Sequence, residues 1–345
     1  MERWTEQLEE LARRSLPEAV HRYIRQGARD GVSAAEAVEA WDRFRFLPAV
    51  LRDVTEIDCS TELLGTPVRS PFAIAPTTMQ RAAHPDGEAA MARAAAASET
   101  LMVVSSNAGT TFEEIAQTGV AWWLQLYVPS DRLACKPLID RAVDAGGSAV
   151  VLTADTPVVG TKYDGGSETV WDVAEPGWLG ANFPQGYGDL PGHEKAADLG
   201  PHDIDWLRKI TGLPVVVKGV LRPGDARRCV DAGASAVWVS NHGGRQLDRA
   251  AAAADCLAAV VDEVGDEAEV YVDGGVRNAR HGLAALALGA RGVFLGRPPL
   301  YALAVDGQDG VLRLLDALTE DLAEVMRLAG CNHLSGVTGE LLSPR

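Results

Sequence analysis

Short apolar runs alternate with alanine-rich stretches of helical period through most of this chain. From residue 71 onward, FAIAP (72–76), LMVVS (101–105), WWLQLY (122–127) and SAVVLTAD (148–155) read as strands. PVVVKG (214–219), SAVWVS (235–240), AEVYVDGG (268–275) and GVFLGR (292–297) continue the series. Between them the period predicts helices over 87–98, 111–118, 130–145, 223–232, 250–264 and 279–288, with final helices reaching residue 328. The strand runs largely lack polar alternation, as parallel strands covered on both faces do. Eight strand–helix units predict an α/β fold, a (β/α)8 TIM barrel. A doubly wound open sheet is the alternative. It needs an early glycine-rich dinucleotide turn after a strand, and none is present.

Residues from about 5 to 45 read as helices, with Leu8, Leu11 and Ala12 on one apolar face and Ala19, Val20 and Tyr23 on another. YIRQGARDG (23–31) interrupts that pattern, and 54–70 alternates around a Gly-Thr-Pro turn, predicting a hairpin. The organisation expected is one domain over 1–345: a helical arm and hairpin (1–70), then the barrel (71–330). Residues 156–204 break the rhythm with Gly, Pro and acidic residues around Trp171, Trp178 and Phe183. A stretch of that length without regular structure predicts a mobile lid.

A barrel gathers the residues at its strand ends into one mouth. Here those are Thr77, Thr78, Gln80, Ser105, Gln125, Tyr127, Thr153, Asp155, Lys218, His242, Arg245, Asp273 and Arg297. The most telling stretch is AVWVSNHGGRQLD (236–248), a strand that breaks into a histidine, two glycines and an arginine. An imidazole takes a proton near neutral pH, and a guanidinium grips a carboxylate through paired hydrogen bonds. The glycines allow a sharp turn and close approach of a ligand.

Composition narrows the function classes. Hydrophobic residues at 47% and charged residues at 23% describe a soluble globular chain, and a net charge of −16 argues against a nucleic-acid partner. Five scattered cysteines without a CxxC pair suggest free thiols rather than zinc or disulfides. The start, MERWTEQLEELARR, reads as a charged helix and not a signal peptide. No apolar run approaches a membrane span, and the LLSPR end carries no SKL-type address. A cytoplasmic protein is expected.

SNHGGRQLD (240–248), together with PTTMQ (76–80), QLY (125–127), LTAD (152–155), VVVKG (215–219), DGGVR (273–277) and FLGRP (294–298), resembles the FMN-dependent α-hydroxy-acid oxidase and dehydrogenase family. The resemblance runs from Tyr23 to Cys331, with seven motifs in register. It implies that His242 is the catalytic base and that Asp155 stabilises its imidazolium. Arg245 corresponds to the clamp on the substrate carboxylate, and Tyr23 and Tyr127 to its hydroxyl partners. Lys218 corresponds to the cation beside the flavin N1 edge, a preorganised electrostatic stabiliser. The backbone of Pro76, Thr77 and Thr78, with Ser105, Gln125, Thr153 and Ser240, matches the contacts to the flavin ring. Asp273 matches the ribityl partner, and Gly275, Arg277, Gly296 and Arg297 the phosphate site.

Read without the resemblance, several of these residues have plainer roles. Asp155 in TADTP is a good turn former, Ser105 a strand terminator, Asn107 a loop residue and Arg277 a surface helix residue. Three positions depart from the family pattern. Thr78 stands where a small Ala or Gly is usual, Asn107 where a Trp sits beside the substrate, and Lys162 where an Arg is common at the lid base. Together they favour a bulkier or more polar acid than glycolate.

The leading expectation is oxidation of an L-2-hydroxy acid to the 2-keto acid, with oxygen reoxidising FMN. A dehydrogenase using a quinone or protein acceptor is the second. A third is a flavin-free phosphate-binding barrel, an isomerase or lyase, with Lys218 forming a Schiff base. A fourth is a binding protein that retains FMN without turnover. The resemblance also implies a homo-oligomer, a tetramer.

Overall fold

The structure is a computed structural model that describes residues 4–163, 168–183 and 194–344. Three helices open the chain: α1 (Trp4–Ser15), α2 (Glu18–Arg25) and α3 (Val32–Asp42). A two-stranded antiparallel hairpin follows, β1 (Thr61–Leu63) and β2 (Thr66–Val68). It is shorter than the 54–70 expected, with Leu63 and Val68 as its buried residues.

The barrel strands are β3 (Phe72–Ile74), β4 (Met102–Ser105), β5 (Trp122–Leu126), β6 (Val150–Thr153), β7 (Val215–Val220), β8 (Ala236–Val239), β9 (Glu269–Asp273) and β10 (Gly292–Leu295). All pair in parallel, and the ring closes where β10 meets both β9 and β3. The (β/α)8 expectation is met strand for strand. Between strands lie α4 (Gln80–Ala83), α5 (Gly87–Ala97), α6 (Phe112–Ala116), α7 (Lys136–Asp144) and α8 (Pro201–Thr211). The series ends with α9 (Pro223–Asp231), α10 (Ala253–Val264), α11 (Ala279–Ala287) and α12 (Arg297–Ala329), the last broken at Asp306 and Gly307.

Successive strand residues point to opposite faces, and this divides the core in two. Val150, Leu152, Val215, Val217, Val237 and Val239 pack outward under the helices. Val151, Val216, Trp123, Trp238, Tyr271 and Phe294 fill the barrel interior. Leu63 and Val68 join the interior cluster, and the Leu64 N–H donates to the Glu269 carboxylate at the start of β9. The hairpin thus covers the N-terminal end of the barrel. Trp122 stacks outward on Phe112, while Trp123 packs inward on Tyr271 and Phe294, so neither reaches the opposite mouth.

The arm crosses the C-terminal mouth. Asp248, just past the His242 turn, accepts the N–H groups of Asp30 (3.1 Å) and Ser33 (3.0 Å) and so anchors the start of α3. Ala28 N–H donates to Gly244 O at 2.8 Å, and a side chain on Gly244 would collide with Ala34. Glycine is required there for the arm to lie this close.

The expected lid, 156–204, needs correcting at its end. Helix α8 already begins at Pro201, where the Asp203 carboxylate accepts the Gly200 N–H at 2.9 Å and proline suits the first turn. Asn182 is fully buried, accepts Phe112 N–H (2.9 Å) and donates to Thr110 O (3.0 Å). Residues 164–167 and 184–193 of the expected lid lie outside the described residues. Among the described residues no helix is long and apolar enough to cross a membrane.

Candidate active site

A cavity of about 510 Å3 opens at the C-terminal ends of the strands, under the arm. Tyr23, Pro76, Thr77, Thr78, Ser105, Asn107, Gln125, Tyr127, Thr153 and Lys162 line it. So do Lys218, His242, Arg245, Asp273, Gly275, Arg277, Gly296 and Arg297. Of the residues expected at the mouth, Gln80, Asp155 and Ser240 do not line the cavity: Gln80 is buried and donates to Thr77 Oγ1 at 3.1 Å, and Asp155 and Ser240 lie behind residues that do line it.

His242 and Asp155 form the centre. His242 Nδ1 lies 2.9 Å from Asp155 Oδ1, and the Thr156 hydroxyl donates to the same oxygen at 3.1 Å. The histidine sits in the left-handed region at φ 59°, in a turn where the Asn241 side chain accepts the Gly244 N–H at 3.0 Å. Burial and the Lys218 cation push the His242 pKa below its usual 6.5, against the pull of Asp155. Burial alone would raise the Asp155 pKa, but His242 and Lys218 outweigh it and hold the carboxyl at about 2. Near neutral pH the pair is therefore a neutral imidazole against a carboxylate. With Nδ1–H donated to Asp155, Nε2 is the basic nitrogen.

Lys218 is fixed by two partners. Its Nζ donates to Ser240 Oγ at 2.9 Å and lies 3.2 Å from Asp273 Oδ2. The same Ser240 oxygen accepts the His242 backbone N–H at 3.0 Å. One serine thus sets the height of both base and cation. Ser105 Oγ donates to Gln125 Oε1 and Gln125 Nε2 to Thr153 Oγ1, each at 3.0 Å, giving a buried polar row across three strands.

The cations above this row divide into two groups. Arg245 Nη1 donates to Tyr23 O (2.8 Å) and Gln26 O (3.0 Å), and its guanidinium lies 4.9 Å over the Tyr23 ring. No other hydrogen bond of its guanidinium is found among the described residues. The Tyr23 hydroxyl meets Thr78 Oγ1 at 3.0 Å. Lys162 Nζ donates to Gly160 O and Arg245 O, each at 2.5 Å. Arg277 and Arg297 are half-buried, and desolvation brings Arg297 down to about 10, with Arg245 and Arg277 adding to the effect. Among the described residues Arg297 bonds only backbone carbonyls, Ile24 O (3.0 Å) and Gln26 O (3.2 Å), and Arg277 bonds Val276 O at 3.0 Å. Neither has a carboxylate partner among the described residues, so together they form a pocket of uncompensated positive charge.

Three side chains at the site went unread in the sequence. Thr156 supports Asp155, and Gln246 Nε2 donates to Asp155 O (3.1 Å) and Val158 O (2.9 Å). Lys195 lines the cavity from the far side of the lid segment, over the Tyr127 ring. Thr156 and Gln246 adjoin motifs already singled out, and that adjacency was the available signal. Lys195 had none.

A parallel barrel with a His–Asp pair, a fixed lysine and an arginine pocket at its C-terminal mouth defines a barrel enzyme that handles an anionic, phosphate-bearing cofactor. The chain belongs to the FMN-dependent dehydrogenase family, whose sequence pattern matches residues 12–344. It is 40% identical over 342 residues to glycolate oxidase 3 of Oryza sativa subsp. indica, covering 96% of this chain and 93% of that protein. It is 39% identical over 349 residues to human 2-hydroxyacid oxidase 1, covering 97% and 94%. Among solved structures, mandelate oxidase with (S)-4-hydroxymandelic acid superposes with a TM-score of 0.90 at 36% identity, covering 98% of each chain.

FMN is the cofactor, and the cavity fits it. The arginine pocket beside the Gly275 and Gly296 backbone suits a phosphate. Asp273 keeps one buried oxygen, Oδ1, without a partner, as a group awaiting hydroxyls would. The Ser105–Gln125–Thr153 row offers the mixed donors and acceptors that a polar heterocycle needs.

Proposed function

We propose that this chain oxidises an L-2-hydroxy acid to its 2-keto acid, with FMN as electron acceptor and oxygen as the final oxidant. When bound, FMN supplies a two-electron acceptor in the cavity. His242 takes the substrate's proton at Nε2, and Asp155 stabilises the imidazolium that results. Arg245 holds the substrate carboxylate with the N–H groups it does not give to Tyr23 and Gln26, and the Tyr23 and Tyr127 hydroxyls orient it. Lys218, fixed by Ser240 and Asp273, stabilises negative charge on the cofactor ring. Pro76, Thr77, Thr78, Ser105, Gln125 and Thr153 would hold that ring, Asp273 the ribityl chain, and Arg277 and Arg297 the phosphate. Asn107 and Lys162 face the substrate's side chain.

The observation that carries this reading is His242, paired to Asp155 at 2.9 Å, sharing one cavity with Arg245 and Lys218. A Schiff-base role for Lys218 has no such support, because its Nζ is already held by Ser240 Oγ at 2.9 Å and Asp273 Oδ2 at 3.2 Å. The test is a visible spectrum of the purified protein, followed by anaerobic addition of L-2-hydroxy acids. Yellow protein that one acid bleaches, and that air restores quickly, is the expected result. Bleaching with slow recovery in air would replace oxygen by another acceptor, and yellow protein that no acid bleaches would overturn the reading. A homotetramer belongs to the same proposal, and light scattering in solution measures it.

A further inference from the structure

The cavity holds more positive charge than a simple hydroxy acid needs. Arg245, Lys162 and Lys195 all line it, while one carboxylate requires one clamp. Lys162 gives two of its donors to Gly160 O and Arg245 O. Lys195 differs. Its Nζ has no hydrogen-bond partner among the described residues and stands 3.9 Å over the centre of the Tyr127 ring.

The position of Lys195 is built rather than incidental. The residue pairs with Pro129 in an antiparallel bridge, and on one side Ala196 N–H donates to Val128 O at 2.9 Å. On the other, Ser130 N–H donates to Glu194 O and its hydroxyl to the Glu194 carboxylate, both at 2.7 Å. The backbone is thus pinned to the segment that carries Tyr127 out of β5. Burial pulls the Lys195 pKa down to about 8, with Asp155 pulling the other way. A half-buried ammonium with no directly bonded anion is only partly compensated by the Tyr127 ring and Asp155, and an arriving carboxylate completes that. Asn107 lines the same cavity and adds polar surface rather than apolar bulk.

We propose that Lys195 is a specificity-determining residue that receives a second anionic group on the substrate side chain, making L-2-hydroxy dicarboxylic acids the preferred substrates. This rests on the reading of the cavity as a hydroxy-acid site. Arg245 takes the carboxylate next to the reacting carbon, and Lys195 takes the one at the far end.

The experiment uses the FMN-loaded full chain. Anaerobic flavin reduction is followed with L-malate and (S)-2-hydroxyglutarate against (S)-2-hydroxybutyrate and (S)-mandelate, in the wild type, Lys195→Met and Lys195→Arg. Binding of 2-oxoglutarate and 2-oxobutyrate is measured separately, by perturbation of the flavin spectrum. The wild type should prefer the diacids in both assays. Lys195→Met should lower the diacid-to-monoacid ratio of kcat/KM by about tenfold to a hundredfold, the effect of losing one charge-assisted hydrogen bond. Lys195→Arg should restore most of it. Reduction by monoacids alone, or an equal loss for both classes in Lys195→Met, would overturn this proposal and leave the hydroxy-acid reading standing. Reduction by neither class would overturn both.

Discussion

Two layers of side chains fill the barrel, two residues apart on the same strands, and they do opposite work. Trp123, Val151, Val216 and Tyr271 lie in the lower layer. Two positions on, Gln125, Thr153, Lys218 and Asp273 lie in the upper one. Below, Trp238 and Phe294 meet with ring centroids 3.9 Å apart, and Trp123 and Tyr271 pack on the same group. Above, hydrogen bonds replace ring contacts, from Ser105 through Gln125 to Thr153 and from Lys218 to Ser240. Because both layers ride on one set of strands, the dry plug fixes the height and spacing of the polar ring. The contrast shows how preorganisation arises here: the lower layer resists movement, so the upper layer can hold its charged and polar groups in place.

Removing chemistry while sparing the plug should give the largest effect. In His242→Asn, flavin reduction by the best acid should slow by about 10²–10⁴-fold, the usual contribution of a positioned base. Asparagine tolerates the left-handed backbone of this site, so melting temperature and FMN content should stay close to wild type. Unchanged reduction in rapid-mixing experiments would remove His242 from the mechanism.

Damaging the plug should do the reverse. Trp123→Ala should destabilise the protein by about 3–5 kcal/mol in chemical denaturation, as deleting a large core aromatic does. Its effect on flavin reduction should be much smaller than that of His242→Asn wherever the protein remains folded. A variant of full stability would mean the lower layer is not what holds the barrel.

A smaller effect is expected at the arginine pocket. Arg297→Gln should weaken FMN binding by about tenfold to a hundredfold in fluorescence titration, through loss of a charge-assisted contact. Unaltered affinity would place the phosphate elsewhere.

This same contrast explains what could be read from the sequence. Each strand is an apolar run that ends in a polar residue, so Ser105, Gln125, Thr153, Lys218 and Asp273 announced the mouth of a barrel. The histidine turn was legible because two glycines and an arginine follow it at once. What escaped notice acts across chain segments. Lys195 reaches the cavity only because 194–196 returns to the end of β5, and no periodicity marks that return. Gln246 looked like the tail of a motif, yet it bonds the backbone of Asp155 and Val158. The start of α8 hid in a Gly-Pro pair that reads equally well as loop. Ser240 carried no signal that it would bond both Lys218 and the backbone of His242.

The most direct test of the central claim is the pH dependence of anaerobic flavin reduction in the wild type and in Asp155→Asn. In the wild type the rate should rise as His242 loses its proton, with the acid limb below pH 6.5 because burial and Lys218 lower that pKa. Asp155 opposes this shift, so Asp155→Asn should move the limb to still lower pH. The plateau should also drop by about 10²-fold or more, since the carboxylate bonded to the imidazolium is then gone. The same limb and the same plateau in both proteins would contradict the account, and the His242–Asp155 pair would no longer be its catalytic centre.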